Sequence, residues 1–146
     1  SCSLVGSEMC IRDRYMPCAT QNEIGLEDAK RMIEEGTSKL LIEVANMPTK
    51  AEAVEELQKA GFMIAPSKAV NAGGVAVSAL EMSQNAMKLS WTEEEVDEKL
   101  KKIMKNIFNN IDSAAKKYGM DGNLIAGANI AGFLKVAEAM LNEGIF

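Results

Sequence analysis

The sequence predicts an α/β fold: three short parallel strands alternating with helices, followed by long C-terminal helices. Three observations predict it. The runs KLLIEV at 39–44 and FMIA at 62–65 are short and nearly continuously apolar, which suits strands buried on both faces. Capped amphipathic segments of helical period stand between and after them. The connections are short, and strand–helix–strand units of that kind close right-handed into a parallel sheet.

Composition bounds what such a fold does. At 146 residues the chain is one domain's worth, long enough to bury a core. A hydrophobic content of 47%, a charged content of 25% and a mean hydropathy of −0.06 read as globular. Net charge is −5, so the chain carries no electrostatic footprint for nucleic acid or an anionic membrane. No run approaches the roughly 18 uncharged apolar residues of a membrane span. Histidine is absent, which removes every Ser-His, Cys-His or His-metal site built from this chain alone. Cys2, Cys10 and Cys18 recur at spacings of eight, matching neither a zinc site nor a disulfide scaffold. No metal site is expected, and a reduced, cytoplasmic compartment is.

Residues 1–14 show neither helical nor strand period and resemble translated adapter sequence. They are expected to be disordered and foreign to the fold, which occupies 15–146. Tyr15 to Cys18 reads as the end of a first strand, and a polar loop follows. Leu26 to Glu35 reads as a helix with Ala29, Met32 and Ile33 inward and Gly36 as its stop. The strand at 39–44 ends in the loop ANMPT. Thr49 and Glu52 are spaced as a capping box for a helix from Lys50 to Ala60, with Val54 and Leu57 inward. The strand 62–65 then leads into APSKAVNAGG.

That stretch organises the rest of the chain. Pro66 interrupts the strand, and Gly73-Gly74 is expected to let the backbone turn sharply before an apolar helix beginning near Val75. A helix start there presents free N–H groups to a ligand. Val75, Ser78 and Met82 share one helix face, and a single hydroxyl on an apolar face is the kind of polar group that orients a small ligand. The same residues also fit a plain helix start with Ser78 bonded back to its own helix. Downstream, Thr92 and Glu95 form a second capping box. The long helix to Lys117 places Val96, Leu100, Ile103, Ile107, Ile111 and Ala115 on one face. The last helix, about 123–142, is apolar around most of its circumference, and Gly127 and Gly132 suggest close packing against another helix.

In a parallel sheet, ligands bind outside the carboxyl ends of the strands. PCATQNE, ANMPT and APSKAVNAGG all fall at that edge. With no GxGxxG and no P-loop, the three-stranded half-sheet looks like the second half of a Rossmann-like, dinucleotide-binding domain.

PCATQNE, ANMPT, APSKAVNAGGVAVSALEMSQN and GANIAGFLKVAEAML occur in the order found in hexameric bacterial-type glutamate dehydrogenases. Residues 15–146 resemble the C-terminal part of that family, within the wider group of dehydrogenases for glutamate, leucine, phenylalanine and valine. EVANMPT and LSWTEEEVDEKL are most similar to its NAD-using clostridial branch. The resemblance implies reversible oxidative deamination of L-glutamate to 2-oxoglutarate and ammonia, with NAD or NADP as cofactor and NAD slightly favoured. It places Ala19, Thr20, Ala45 and Asn46 along the ribose and nicotinamide. Asn71 would lie between the nicotinamide ribose and the amino acid. Val75 would pack on the substrate's methylenes, and Ser78 would bond its side-chain carboxylate. In the family, the catalytic lysine and aspartate and the glycine-rich cofactor turn lie N-terminal to this span. No catalytic residue is therefore assigned here, and the chain alone is expected to be inactive, as part of what would be a homohexamer. Dehydrogenases for leucine, valine and phenylalanine share NAGGV but do not continue as VSALEMSQN. The alternatives are such a dehydrogenase or a non-catalytic α/β interaction module.

Overall fold

The structure, a computed structural model, describes residues 14–144. The foreign segment expected at 1–14, with Cys2 and Cys10, lies outside the described residues except for Arg14. Helix α1 (Leu26–Glu35) leads to β1 (Leu40–Ile42), α2 (Ala51–Lys59) and β2 (Met63–Ala65). Four helices follow: α3 (Ser67–Val70), α4 (Ala72–Met87), α5 (Glu93–Lys117) and α6 (Leu124–Glu143). The architecture is mixed α/β and rich in helix. β1 and β2 are parallel, with Leu40 opposite Met63, Leu41 opposite Ile64 and Ile42 opposite Ala65.

The expected third strand is not formed among the described residues; residues 15–18 make a single parallel bridge, Tyr15 to Leu41. The reason is Pro17. Tyr15 N–H donates to the Leu40 carbonyl at 2.8 Å, and Ile42 N–H donates back to Tyr15 at 2.8 Å. Two residues on, the Pro17 carbonyl accepts from Val44 N–H at 3.2 Å, but proline has no N–H to return. The ladder stops after one rung.

The helical period predicts the core well. Ala29 and Met32 of α1, Ala53 and Leu57 of α2, Leu41 of β1 and Ile64 of β2 are buried together with Tyr15, Ile24 and Phe62. Val54 and Ile33 pack against this cluster, half-buried. Gly36 ends α1 at φ 61°, where its N–H reaches the Met32 carbonyl. The Thr92–Glu95 box forms in both directions, at 2.8 and 3.3 Å.

Two local expectations are corrected. No capping box forms at Thr49: α2 starts at Ala51, and its N-cap Lys50 makes no side-chain cap bond. Thr49 instead forms a parallel bridge with Ile24, in which Ile24 N–H donates to Pro48 and Lys50 N–H to Ile24. Its hydroxyl is buried there without a partner among the described residues. Pairing with a distant loop wins over the local cap. Second, the apolar helix begins at Ala72 and not near Val75, directly after α3. Gly73 and Gly74 sit in its first turn with no positive φ, so they supply no sharp turn. A Cβ at Gly73 would touch Met104 and Leu100 at 3.6 and 3.7 Å, and one at Gly74 would meet nothing.

Helix α5 carries the C-terminal half, with α4 and α6 packed against it. Gly127 is where α6 comes closest: a Cβ there would lie 2.3 Å from the Ile111 carbonyl oxygen. Gly132 was expected to do the same and does not, because nothing lies within 4 Å of its would-be Cβ. Asn123 caps α6 through Ala126 N–H at 3.0 Å, and Ile125 packs on the α/β core. By length and composition α6 is also apolar enough to cross a membrane, with a mean hydropathy of 1.5. A search for uncharged runs misses it, because Lys135 and Glu138 interrupt the run. Its first turns are already packed on protein, at Leu124 and Gly127.

Candidate functional site

Three loops leave the carboxyl ends of Tyr15–Pro17, β1 and β2, and backbone hydrogen bonds tie the first two together. Ala45 N–H donates to Pro17 at 3.0 Å, and Asn22 N–H to Met47 at 3.0 Å. These two bonds, with the Ile24–Thr49 bridge, lay PCATQNE alongside ANMPT. Ala19 and Thr20 therefore stand on the loop beside the one bearing Ala45 and Asn46. Asn22 and Met47 both have positive φ, 57° and 47°, where the two loops meet. The third loop is tied through a side chain: Glu43 Oε2 accepts from Ser67 N–H at 3.1 Å. One turn on, Asn71 N–H donates to the Ser67 carbonyl at 2.9 Å.

Ala19, Thr20, Asn46 and Asn71 are exposed and Ala45 is half-buried. The Thr20 N–H reaches the Glu23 carboxyl at 3.4 Å. The side-chain amides of Asn46 and Asn71 make no hydrogen bond among the described residues, so both are free to meet a ligand. Small side chains and free amides suit the flat face and hydroxyls of a nucleotide cofactor. On α4, Val75 is 74% exposed and Met82 66%, and Ser78 is exposed on the same face. Ser78 is not bonded back to its helix; Ser83 is, to the Ala79 carbonyl at 2.8 Å. An apolar wall with one unspent hydroxyl is thus open on the side of α4 away from α5.

General acid–base groups are sparse at this edge. Glu23 is engaged with its own loop, and the Lys68 ammonium is bonded to the Asn129 side chain on α6. The displaced pKa values lie on helix flanks elsewhere. Glu56 holds Lys59 above its usual value by a hydrogen bond, and Asp112 does the same for Lys116. Glu94 is lowered by a bond to its own backbone and by the Thr92 hydroxyl. Among the described residues no group of three or more His, Cys, Asp or Glu side chains is placed to hold a metal. A cavity of about 380 Å³, lined by Gly61, Met63, Asn123 and Leu124 among others, lies at the opposite end of β2. The residue that sequence reading passed over is Glu43. An acidic residue inside the apolar run KLLIEV was the available signal, and it proves 93% buried, its relative exposure being 7%.

A parallel α/β edge with amide-rich loops, beside an apolar helix face with one hydroxyl, is the kind of place where α/β proteins bind small ligands. The family is shown by comparison. Residues 8–144 match the family Glutamate/Leucine/Phenylalanine/Valine dehydrogenase, and the chain belongs to it. It is 55% identical over 134 residues to the NAD-specific glutamate dehydrogenase of Clostridium symbiosum, covering 91% of this chain and 30% of that protein. It is also 55% identical over 132 residues to the NADP-specific glutamate dehydrogenase of Giardia intestinalis, covering 90% and 29%. Among solved structures, glutamate dehydrogenase 2 of Plasmodium falciparum superposes with a TM-score of 0.85 at 51% identity, over 92% of this chain and 29% of that one. The chain thus spans about 30% of the length of the relatives it matches.

Proposed function

We propose that this chain forms one wall of the cofactor and substrate cleft of a glutamate dehydrogenase. The reaction is reversible oxidative deamination of L-glutamate to 2-oxoglutarate and ammonia. The observation that carries the reading is the family match together with the open face of α4, where Ser78 is the one unspent hydroxyl among Val75 and Met82. The α/β unit serves as part of a Rossmann-like cofactor domain, the nicotinamide supplying the hydride acceptor when bound. Ala19, Thr20, Ala45 and Asn46 orient it along the carboxyl edge, and Asn71 stands between its ribose and the amino acid. Val75 excludes water from the substrate's methylenes. Ser78 donates to the side-chain carboxylate, which selects glutamate over leucine, valine or phenylalanine. Proton transfer falls to the lysine and aspartate that the family carries N-terminal to this span. NAD is favoured on the stretches EVANMPT and LSWTEEEVDEKL alone; identity over the whole match is 55% to both an NAD- and an NADP-specific relative. A cytoplasmic homohexamer is the assembly proposed, as the family resemblance implies.

The test is a graft of residues 15–144 into the corresponding span of the Clostridium symbiosum enzyme. Reduced cofactor is followed by absorbance with glutamate, leucine, valine and phenylalanine in turn. Turnover restricted to glutamate is expected. A soluble graft that prefers a branched or aromatic amino acid contradicts the reading.

A further inference from the structure

We propose that Glu43 is a positioning residue, which fastens the second ligand loop to the third where β1 and β2 separate. The proposal rests on the functional reading above, whose loops it holds. Glu43 N–H makes the last rung of the sheet, donating to Ala65 at 3.0 Å. Past that rung the two chains diverge. Val44 and Ala45 turn toward Pro17, which accepts both their N–H groups, while Ala65 continues into Pro66 and α3. The opening between them is the crevice at the carboxyl edge of a parallel sheet, where ligands bind. A side chain spans it: Glu43 Oε2 accepts from Ser67 N–H at 3.1 Å.

Both partners need this bond. Ser67 is the first residue of α3, and its N–H has no partner within the helix. The preceding Pro66 has no side chain able to cap it, and Ser67 is itself buried, so water does not substitute. An acidic side chain buried at the end of an apolar strand is costly unless it is bonded. The bond also reaches the site on both sides. Glu43 lies two residues before Ala45, and the Ser67 carbonyl holds the N–H of Asn71 at 2.9 Å. Fixing Ser67 therefore fixes the spacing between Ala45–Asn46 and Asn71. The hydrogen bond of the Glu43 side chain goes to backbone; it acts through the loops and not on the reacting atoms.

The grafted enzyme decides this with two readouts, amide hydrogen exchange of residues 66–71 and steady-state kinetics. Glu43→Ala is expected to speed exchange at Ser67 and Asn71 and to lower kcat/KM for glutamate by about 10- to 100-fold, the scale of a misplaced ligand loop. Glu43→Gln keeps an accepting oxygen and is expected to recover most of that loss, to within about threefold of the parent. Ser67→Pro removes the donor from the other side. Proline is tolerated at a first helical position, and Pro66, with ψ 144°, already has the conformation a following proline requires. It is expected to reproduce the kinetic loss of Glu43→Ala with the acidic group intact. Unchanged exchange or unchanged kinetics in Glu43→Ala overturns the proposal, and so does a Gln variant as impaired as the Ala one. A parent graft inactive on glutamate refutes the functional reading alone, since the exchange comparison still decides whether Glu43 holds Ser67.

Discussion

The two halves of this chain treat their apolar residues in opposite ways. In the α/β half, Ile24, Leu41 and Leu57 have no exposed surface and Met32 has 1%. In the helical half, Val75, Phe133 and Leu141 are 74%, 70% and 68% exposed, and no residue of α4 is buried. Composition does not separate the halves; partners do. Strands and flanking helices of the first half find each other within about 50 residues and bury one core, onto which Ile125 of α6 also packs. Helices α4 and α6 share α5 as a support and leave their far sides open. A helix apolar around most of its circumference needs neighbours on several sides, and α6 has them mainly along its first turns. The chain spans about 30% of its relatives' length.

The sharpest way to break the contrast is to cut the closed core. Leu41→Ala is expected to cost about 2–5 kcal/mol, the range for a fully buried leucine, read as a lower midpoint in urea unfolding. A loss under about 0.5 kcal/mol is the scale of a surface substitution and contradicts a closed core around Leu41. The glycines of α6 sharpen the contrast within one helix. Gly127→Ala pushes a methyl onto the Ile111 carbonyl and is expected to destabilise by about 1–3 kcal/mol. Gly132→Ala meets nothing and is expected to stabilise by about 0.5–1 kcal/mol through helix propensity. Equal effects at the two positions contradict the packing of α6 on α5. The smallest effect belongs to the open face. Phe133→Ser is expected to shift stability by no more than about 0.5 kcal/mol while reducing self-association of the chain in sedimentation velocity.

Much of this was legible in the sequence where the controlling interaction is local. The helix 26–35 agrees at both ends, since its period and Gly36 are read within ten residues. The Thr92–Glu95 box is likewise a contact three residues long. Errors arose where a distant segment overrules a local signal. Thr49 has the spacing of a cap and is taken up by Ile24, 25 residues away in the chain. Gly127 and Gly132 are alike in sequence, and only the position of Ile111 distinguishes them. The missing strand at 15–18 is an intermediate case: Pro17 was visible, and its absent N–H ends the ladder. At the site, the edge was readable because strand order dictates it, whereas Glu43 went unread because its partner, Ser67, is 24 residues away.

The central claim is that the open face of α4 meets glutamate through Ser78. It is tested most directly by Ser78→Ala in the graft, with kcat/KM for glutamate and KM for the cofactor measured in parallel. Loss of a hydroxyl bonded to a charged partner is expected to cost about 1.5–3 kcal/mol, roughly 10- to 150-fold in kcat/KM for glutamate, with cofactor KM little changed. An equal loss in both parameters means that Ser78 holds the helix and not the ligand; no loss in either means that the substrate lies elsewhere.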